Sequence, residues 1–307
     1  MEKKSGKTKG TWILMKVIMI FLDGVGIGKP AQSNPLSDPD LKIFSCSVIK
    51  NNQLPENGEI IATDASLGIK GLPQSATGQT TLLTGINAAK LLGRHVPGFP
   101  DRKLREIILK ESIFIKLKSM GKSGTFINTF RPLFFSIPKS LRYRLSVTTV
   151  AALSAYLCFY NLDDLKNDKS IYHDFTNKEL LKRGFLVPVF SPEHAADILT
   201  RQAQNFDFTL YEYFLTDKAG HKKDYSRAKT VLEQLDDFLK NIIEKSDLNN
   251  TSIIVTSDHG NIEDMSVKTH TTNPVLTMVW GKGTDLLIKR IKSLTDITPA
   301  ILELIDL

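Results

Sequence analysis

The feature that most constrains this chain is a set of short apolar runs, rich in β-branched and aromatic residues, that stop abruptly at aspartates. Residues 16–22, KVIMIFL, end at DGVGIG; residues 207–215, DFTLYEYFL, lead to Asp217; residues 251–257, TSIIVTS, end at Asp258 and His259. Runs of this length with little polar alternation read as strands buried on both faces. GKSGTFINTF at 121–130 and VLTMVWG at 275–281 read as further strands. Helical patterns separate them, at 75–91, 101–119, 192–204, 219–245 and the C-terminus. Strands alternating with helices predict an α/β fold: a doubly wound, mostly parallel sheet with helices on both faces. The stretch from Gly28 to Asp64, punctuated by Pro30, Pro35, Pro39 and Pro55, reads as loop.

At 307 residues the chain can build one large α/β domain with an insertion. The pattern changes at 129–190, where aromatic, basic and polar residues intervene. This segment is read as a small cap inserted in a core made of 15–128 and 191–307. Residues 1–14 read as a flexible extension, with five lysines in the first sixteen positions. The segment WILMKVIMIFL has the apolar character of a secretory leader. Lys16 interrupts it, however, and no small-residue cleavage site precedes Asp23, so a cytoplasmic location is expected, with Met15 an alternative start to Met1. Cys46 and Cys158 are too few for a disulfide framework, and both are expected as buried free thiols. The net charge of +7 suits an anionic substrate. No interleaving of arginine and aromatic residues accompanies it, so nucleic acid is not an expected partner. The average apolar fraction argues against a membrane class.

The chemistry is suggested by where Asp and His fall. Asp23, Asp217 with His221, and Asp258 with His259 each follow a predicted strand, at the edge where open α/β sheets bind ligands. His270 follows in KTHTTNPV. Singly, each has a plain structural use as a cap, turn former or hydrogen-bonding imidazole. Together, three Asp and three His form a mixed nitrogen and oxygen set suited to Zn²⁺ or Mn²⁺. SATGQTTLLTG, 75–85, opens a predicted helix with a serine, which serves equally as N-cap or as nucleophile. The free amides and dipole of such an N-terminus also favour a bound anion.

At these residues the chain resembles the alkaline-phosphatase superfamily. The nucleophile of that superfamily stands ten residues before the glycine of a Thr-Gly pair, and counting back from Thr84-Gly85 selects Ser75. The start of the segment is similar to that of cofactor-independent phosphoglycerate mutases and phosphopentomutases. LTDKAGHKKD, TSDHGN and THTTNPV resemble their remaining metal motifs. The resemblance implies a two-metal enzyme in which Asp23, Ser75, Asp258 and His259 hold one ion, and Asp217, His221 and His270 the other. It implies a small phosphorylated substrate and attack by Ser75 to give a phosphoserine. Gln79 stands where those mutases carry histidine, and 129–190 is shorter than their phosphoglycerate-binding domain. The expectation is therefore a phosphate-monoester hydrolase, with a phosphomutase as the alternative; a sulfatase or a non-catalytic metal- or phosphate-binding protein ranks behind both. Lys90, Arg94, His95, Arg131, His173 and Asn177 are the candidate substrate contacts, since phosphoryl oxygens call for such donors.

Overall fold

The computed structural model describes residues 15–307, so the extension read over 1–14 lies outside the described residues. Six strands form one sheet: β1 (Lys16–Leu22), β2 (Glu59–Thr63), β3 (Gly124–Phe126), β4 (Phe208–Tyr213), β5 (Thr251–Ser257) and β6 (Val275–Gly281). Their order across the sheet is β2-β6-β5-β1-β4-β3. β1 lies in the middle, parallel to β4 on one side and to β5 on the other, and β3 is parallel to β4. β6 alone runs against its neighbours β5 and β2.

Alternate side chains of β1 enter different layers, as strand geometry requires. Ile18, Ile20 and Leu22 pack with the helices Pro192–Ala203 and Tyr225–Lys245. Val17, Met19 and Phe21 pack with the helices Ser75–Thr84 and Leu294–Ile305 on the opposite face. Helices therefore cover both faces of a mostly parallel sheet, as the alternating pattern predicted.

Several predicted boundaries shift, each for a local reason. The stretch 28–64 contains β2 and the short helix Cys46–Asn51, whose brevity hides any periodicity. The helix read over 75–91 breaks at Gly85, where φ of +77° is left-handed and favours glycine. The helix read over 101–119 breaks at Ser112, which caps the following segment by accepting from the Ile115 amide. The helix read over 219–245 divides at Lys223, and its first part starts earlier, at Leu215. The C-terminal helix is two, Thr284–Arg290 and Leu294–Ile305, and β3 occupies only three residues of 121–130. Cys158 is exposed and Cys46 half-buried, against the expectation that both thiols are interior. Residues 129–190 contribute Val147, Val150 and Ala151 to one core layer and Leu165, Ile171 and Phe175 to the other. No helix among the described residues is long and apolar enough to cross a membrane.

Candidate metal centre

The carboxyl ends of β1, β4 and β5 lie side by side, so the residues just beyond them converge. Asp23 directly follows β1, and its amide donates to Tyr213 O of β4 at 2.9 Å. Asp258 and His259 directly follow β5. Asp217 and His221 sit one turn apart in the helix Leu215–Lys222, not at a strand end as the sequence suggested. That spacing places both side chains on one helix face. His270 reaches the same edge because β6 is antiparallel to β5. The 258–274 connection never leaves this edge, whereas a parallel β6 would need a crossover to the opposite one.

All six side chains are brought together beside Ser75. His259 Nε2 lies 3.0 Å from Ser75 Oγ, 3.3 Å from Asp23 Oδ1 and 3.4 Å from Asp258 Oδ2. Asp217 Oδ2 is 3.3 Å from His221 Nε2, and Asp217 Oδ1 is 3.6 Å from His270 Nε2. Two sets of candidate ligand atoms result, one from Asp23, Asp258 and His259 and one from Asp217, His259 and His270.

The chemistry of these atoms is informative. His221 Nδ1 is 2.8 Å from Lys268 O, and His270 Nδ1 is 2.8 Å from Pro73 O. A carbonyl only accepts, so both Nδ1 atoms carry protons. The two Nε2 atoms nevertheless face each other at 3.1 Å beside the Asp217 carboxylate. In neutral rings these are lone pairs pointing at lone pairs. Burial, reinforced by His221, holds His270 below the usual histidine value, and burial with His270 close by holds His259 well below it. Burial is also the main reason that the Asp23 and Asp258 carboxyls are raised; the charge of Asp258 adds to it at Asp23, and that of Asp217 at both. Asp23 Oδ1 is buried with no hydrogen-bond partner. Electron-rich atoms crowded in this way, with Nδ1 protons anchored on carbonyls, fit a divalent cation set.

Ser75 is the first residue of its helix, which is why its hydroxyl escapes the i−4 back-bonds made by Thr80, Thr81 and Thr84. Gly78 allows that helix to approach, since a Cβ there would stand 2.7 Å from Asp258 O. The amides expected to be free for an anion are partly taken: those of Ala76 and Thr77 donate to Val96 O at 3.1 and 3.4 Å.

The six candidate substrate contacts separate. Lys90 and Arg94 are exposed, and neither side chain has a hydrogen bond or ion pair among the described residues. His95 Nε2 is 3.3 Å from Ile69 O, in the loop preceding Ser75. Arg131 and His173 line a cavity beside Glu212 and Phe214. Asn177 is fully buried, and its amide donates to Pro188 O.

Three residues near the site, Asn261, Glu263 and Glu212, were not singled out in the sequence, and a fourth, Gln79, was noted there only as a departure from the mutase pattern. Gln79 donates to Asp258 Oδ2 at 3.0 Å, and Asn261 donates to Asp217 Oδ1 at 2.6 Å. Glu263 accepts from the amides of Gly26 and Asn261, from Asn273 and from the Thr271 hydroxyl, tying together the loops after β1 and β5. Glu212, buried in β4 and hydrogen-bonded to Thr148, has its carboxyl pushed by burial to about 7. A charged residue inside the otherwise apolar run DFTLYEYFL was the available signal for it.

Residues 186–307 match the Metalloenzyme superfamily. The 2,3-bisphosphoglycerate-independent phosphoglycerate mutase of Malacoplasma penetrans is 32% identical over 150 residues, covering 47% of this chain and 29% of that mutase. The chain thus aligns with less than a third of the length of this curated relative. The PH0037 protein of Pyrococcus horikoshii shares the fold with a TM-score of 0.56 at 14% identity, over 95% of this chain and 98% of that one. The alkaline phosphatase of the Antarctic bacterium TAB5 does so with a TM-score of 0.53 at 14% identity, over the same shares. The chain is therefore similar to the Metalloenzyme superfamily over residues 186–307, to cofactor-independent phosphoglycerate mutases in part of its sequence, and to an alkaline phosphatase in fold.

Proposed function

We propose that this chain is a metalloenzyme of the alkaline-phosphatase superfamily that transfers the phosphoryl group of a phosphate monoester to Ser75, with Asp23, Ser75, Asp258 and His259 holding one divalent ion and Asp217, His221 and His270 the other. The observation that carries the reading is the pair of imidazole Nε2 lone pairs at 3.1 Å beside a carboxylate, an arrangement that calls for a cation. The mixed donor set suits Zn²⁺ or Mn²⁺ better than Ca²⁺. Bound ions would favour the deprotonated serine and offset charge on the phosphoryl oxygens.

The protein residues do the rest. Ser75 stands at the mouth of the site on a helix whose remaining residues are buried, so its position is fixed. Gln79 and Asn261 orient Asp258 and Asp217 through their amides, which keeps one carboxylate oxygen of each in a defined direction. The Ser75 Oγ–P bond forms as the P–O bond to the alcohol breaks, and the alcohol oxygen takes up the proton that the serine gives up. The phosphoserine then passes its phosphoryl group to an acceptor. The named relatives support a second substrate hydroxyl, hence a phosphomutase; the shortness of 129–190 supports water, hence a hydrolase. In either case this segment is proposed as the cover of the site.

A phosphate-release screen over monoesters, run on metal-loaded protein with Ser75→Ala as control, tests the reading. Ser75→Ala is expected to keep the ion held by Asp217, His221 and His270, to hold the other less tightly through Asp23, Asp258 and His259, and to release no phosphate above background. Equal release by both proteins would remove Ser75 as nucleophile. Labelled phosphate separates the two fates: recovery in an isomeric ester indicates a mutase, and recovery as inorganic phosphate a hydrolase.

A further inference from the structure

Next to the metal centre lies a cavity of about 430 Å³ that the phosphoryl chemistry does not use. One wall is apolar, formed by Phe130, Leu133, Phe134, Ile137 and Leu145. Phe130 and Phe134 are already packed, with ring centroids 4.3 Å apart and both near Phe159. Leu133, in contrast, is 66% exposed, so part of this wall has no covering partner within the described residues.

The opposite wall belongs to the end of β4, beside the strand that delivers Asp23. Glu212 pairs in register with Phe21, two residues before Asp23. Adjacent strands lie about 4.8 Å apart, so the cavity wall and the Asp23 carboxylate are neighbours. Phe214, also on this wall, immediately precedes the helix that carries Asp217 and His221. His173 stacks on Phe214 with centroids 4.0 Å apart, and its buried Nδ1 has no partner. Arg131 lines the same space, and its side chain has no hydrogen bond or ion pair among the described residues.

We propose that this cavity receives the organic part of the phosphoester, and that this part is an aromatic or comparably flat apolar group, with His173 and Arg131 available to one polar substituent. The proposal rests on the phosphoryl-transfer reading above and names its substrate class. A volume of this size falls within the usual range for small-molecule sites. A glycerate or sugar would place several hydroxyls against the apolar wall. The polar lining opposite is largely engaged already, Asn128 with the Glu212 backbone, Thr129 with Ser170 and Thr149 with Ser146, so some of those hydroxyls would lack partners at a cost that an aryl group avoids. A ring buried there gains the transfer free energy of its apolar surface, which corresponds to about tenfold or more in affinity.

The test compares 1-naphthyl phosphate with glycerol 2-phosphate on metal-loaded protein, and measures fluorescence binding of 1-naphthol to Ser75→Ala, a readout independent of turnover. The variants are Leu133→Asp, at the exposed rim, and Ile137→Trp, which fills the cavity. The expected result is kcat/KM at least about tenfold higher for the naphthyl ester, a similar loss of that ratio in both variants, and weaker naphthol binding when Ile137→Trp is added to Ser75→Ala. A ratio that neither variant changes, or naphthol binding insensitive to Ile137→Trp, overturns the assignment of the cavity while leaving phosphoryl transfer standing. No release from either ester, with naphthol binding intact and lost in Ile137→Trp, overturns instead the phosphoryl-transfer reading, and with it the identity of the occupant as substrate.

Discussion

Replacing Gly78 by alanine probes how closely the helix that opens with Ser75 must approach the strand edge. In an ordinary helix interior this change stabilises by about 0.5–1 kcal/mol, because alanine loses less backbone entropy. Here the new Cβ would lie 2.7 Å from Asp258 O and 3.1 Å from Asp258 Cβ, and both belong to a fully buried residue. Neither is the free end of a flexible chain, so the helix must retreat by several tenths of an ångström. Overpacking of this kind costs about 1–3 kcal/mol. The net expectation is a loss of about 1–2 kcal/mol, or a Tm lower by about 2–3 °C for a chain of this size. Because Ser75 opens the same helix, its Oγ moves with it, and misplacement of a reacting group by up to 1 Å costs about 10²-fold. Thermal denaturation of metal-loaded protein, together with kcat on a responsive ester, measures both effects. A Gly78→Ala protein that gains stability and keeps full activity would refute the close-approach argument.

The raised carboxyls of Asp23 and Asp258 give a pH prediction. A carboxyl whose folded value exceeds its unfolded value of about 4 binds more protons when folded, so stability is lost as pH rises toward the folded value. The lowered His259 and His270 act in the opposite sense until histidine is neutral in the unfolded chain too, so chelated protein should lose Tm from about pH 7 upward, and added divalent metal should restore it most at the alkaline end; Tm that is flat above that pH in chelator contradicts this. Gln79→Ala removes the amide that orients Asp258 and should weaken metal binding by about 10–100-fold, read by chelator competition, with an unchanged Tm in chelator. Glu263→Gln leaves part of the hydrogen-bond set between the loops after β1 and β5 unmade, at a cost of about 1–3 kcal/mol in denaturant unfolding. A midpoint equal to wild type would show that the loops hold without it.

Much of this architecture was readable because the strands of a parallel sheet are buried on both faces and the active edge is where they end. KVIMIFL, TSIIVTS and DFTLYEYFL each became a central strand, and the polar residues beyond them converge in the candidate metal centre. What was not readable depends on packing at a distance. The direction of β6 cannot be inferred from VLTMVWG, yet it decides that His270 arrives at the right edge. Breaks at Ser112 and Lys223 follow from caps and a single left-handed residue rather than from a loss of periodicity. Gln79, Asn261 and Glu263 act by orienting other side chains, and such partners carry no spacing of their own. Residues 129–190 have little periodicity because their short helices divide their apolar residues between two core layers.

The central claim is that three aspartates and three histidines hold a pair of cations beside Ser75. Elemental analysis of protein reconstituted with Zn²⁺ or Mn²⁺ and freed of excess metal tests it most directly. The account predicts two ions per chain in the wild type and one in a His221→Ala, His270→Ala protein that retains its fold by circular dichroism. A wild type that retains no stoichiometric metal, or a double variant that retains as much as wild type, would contradict it.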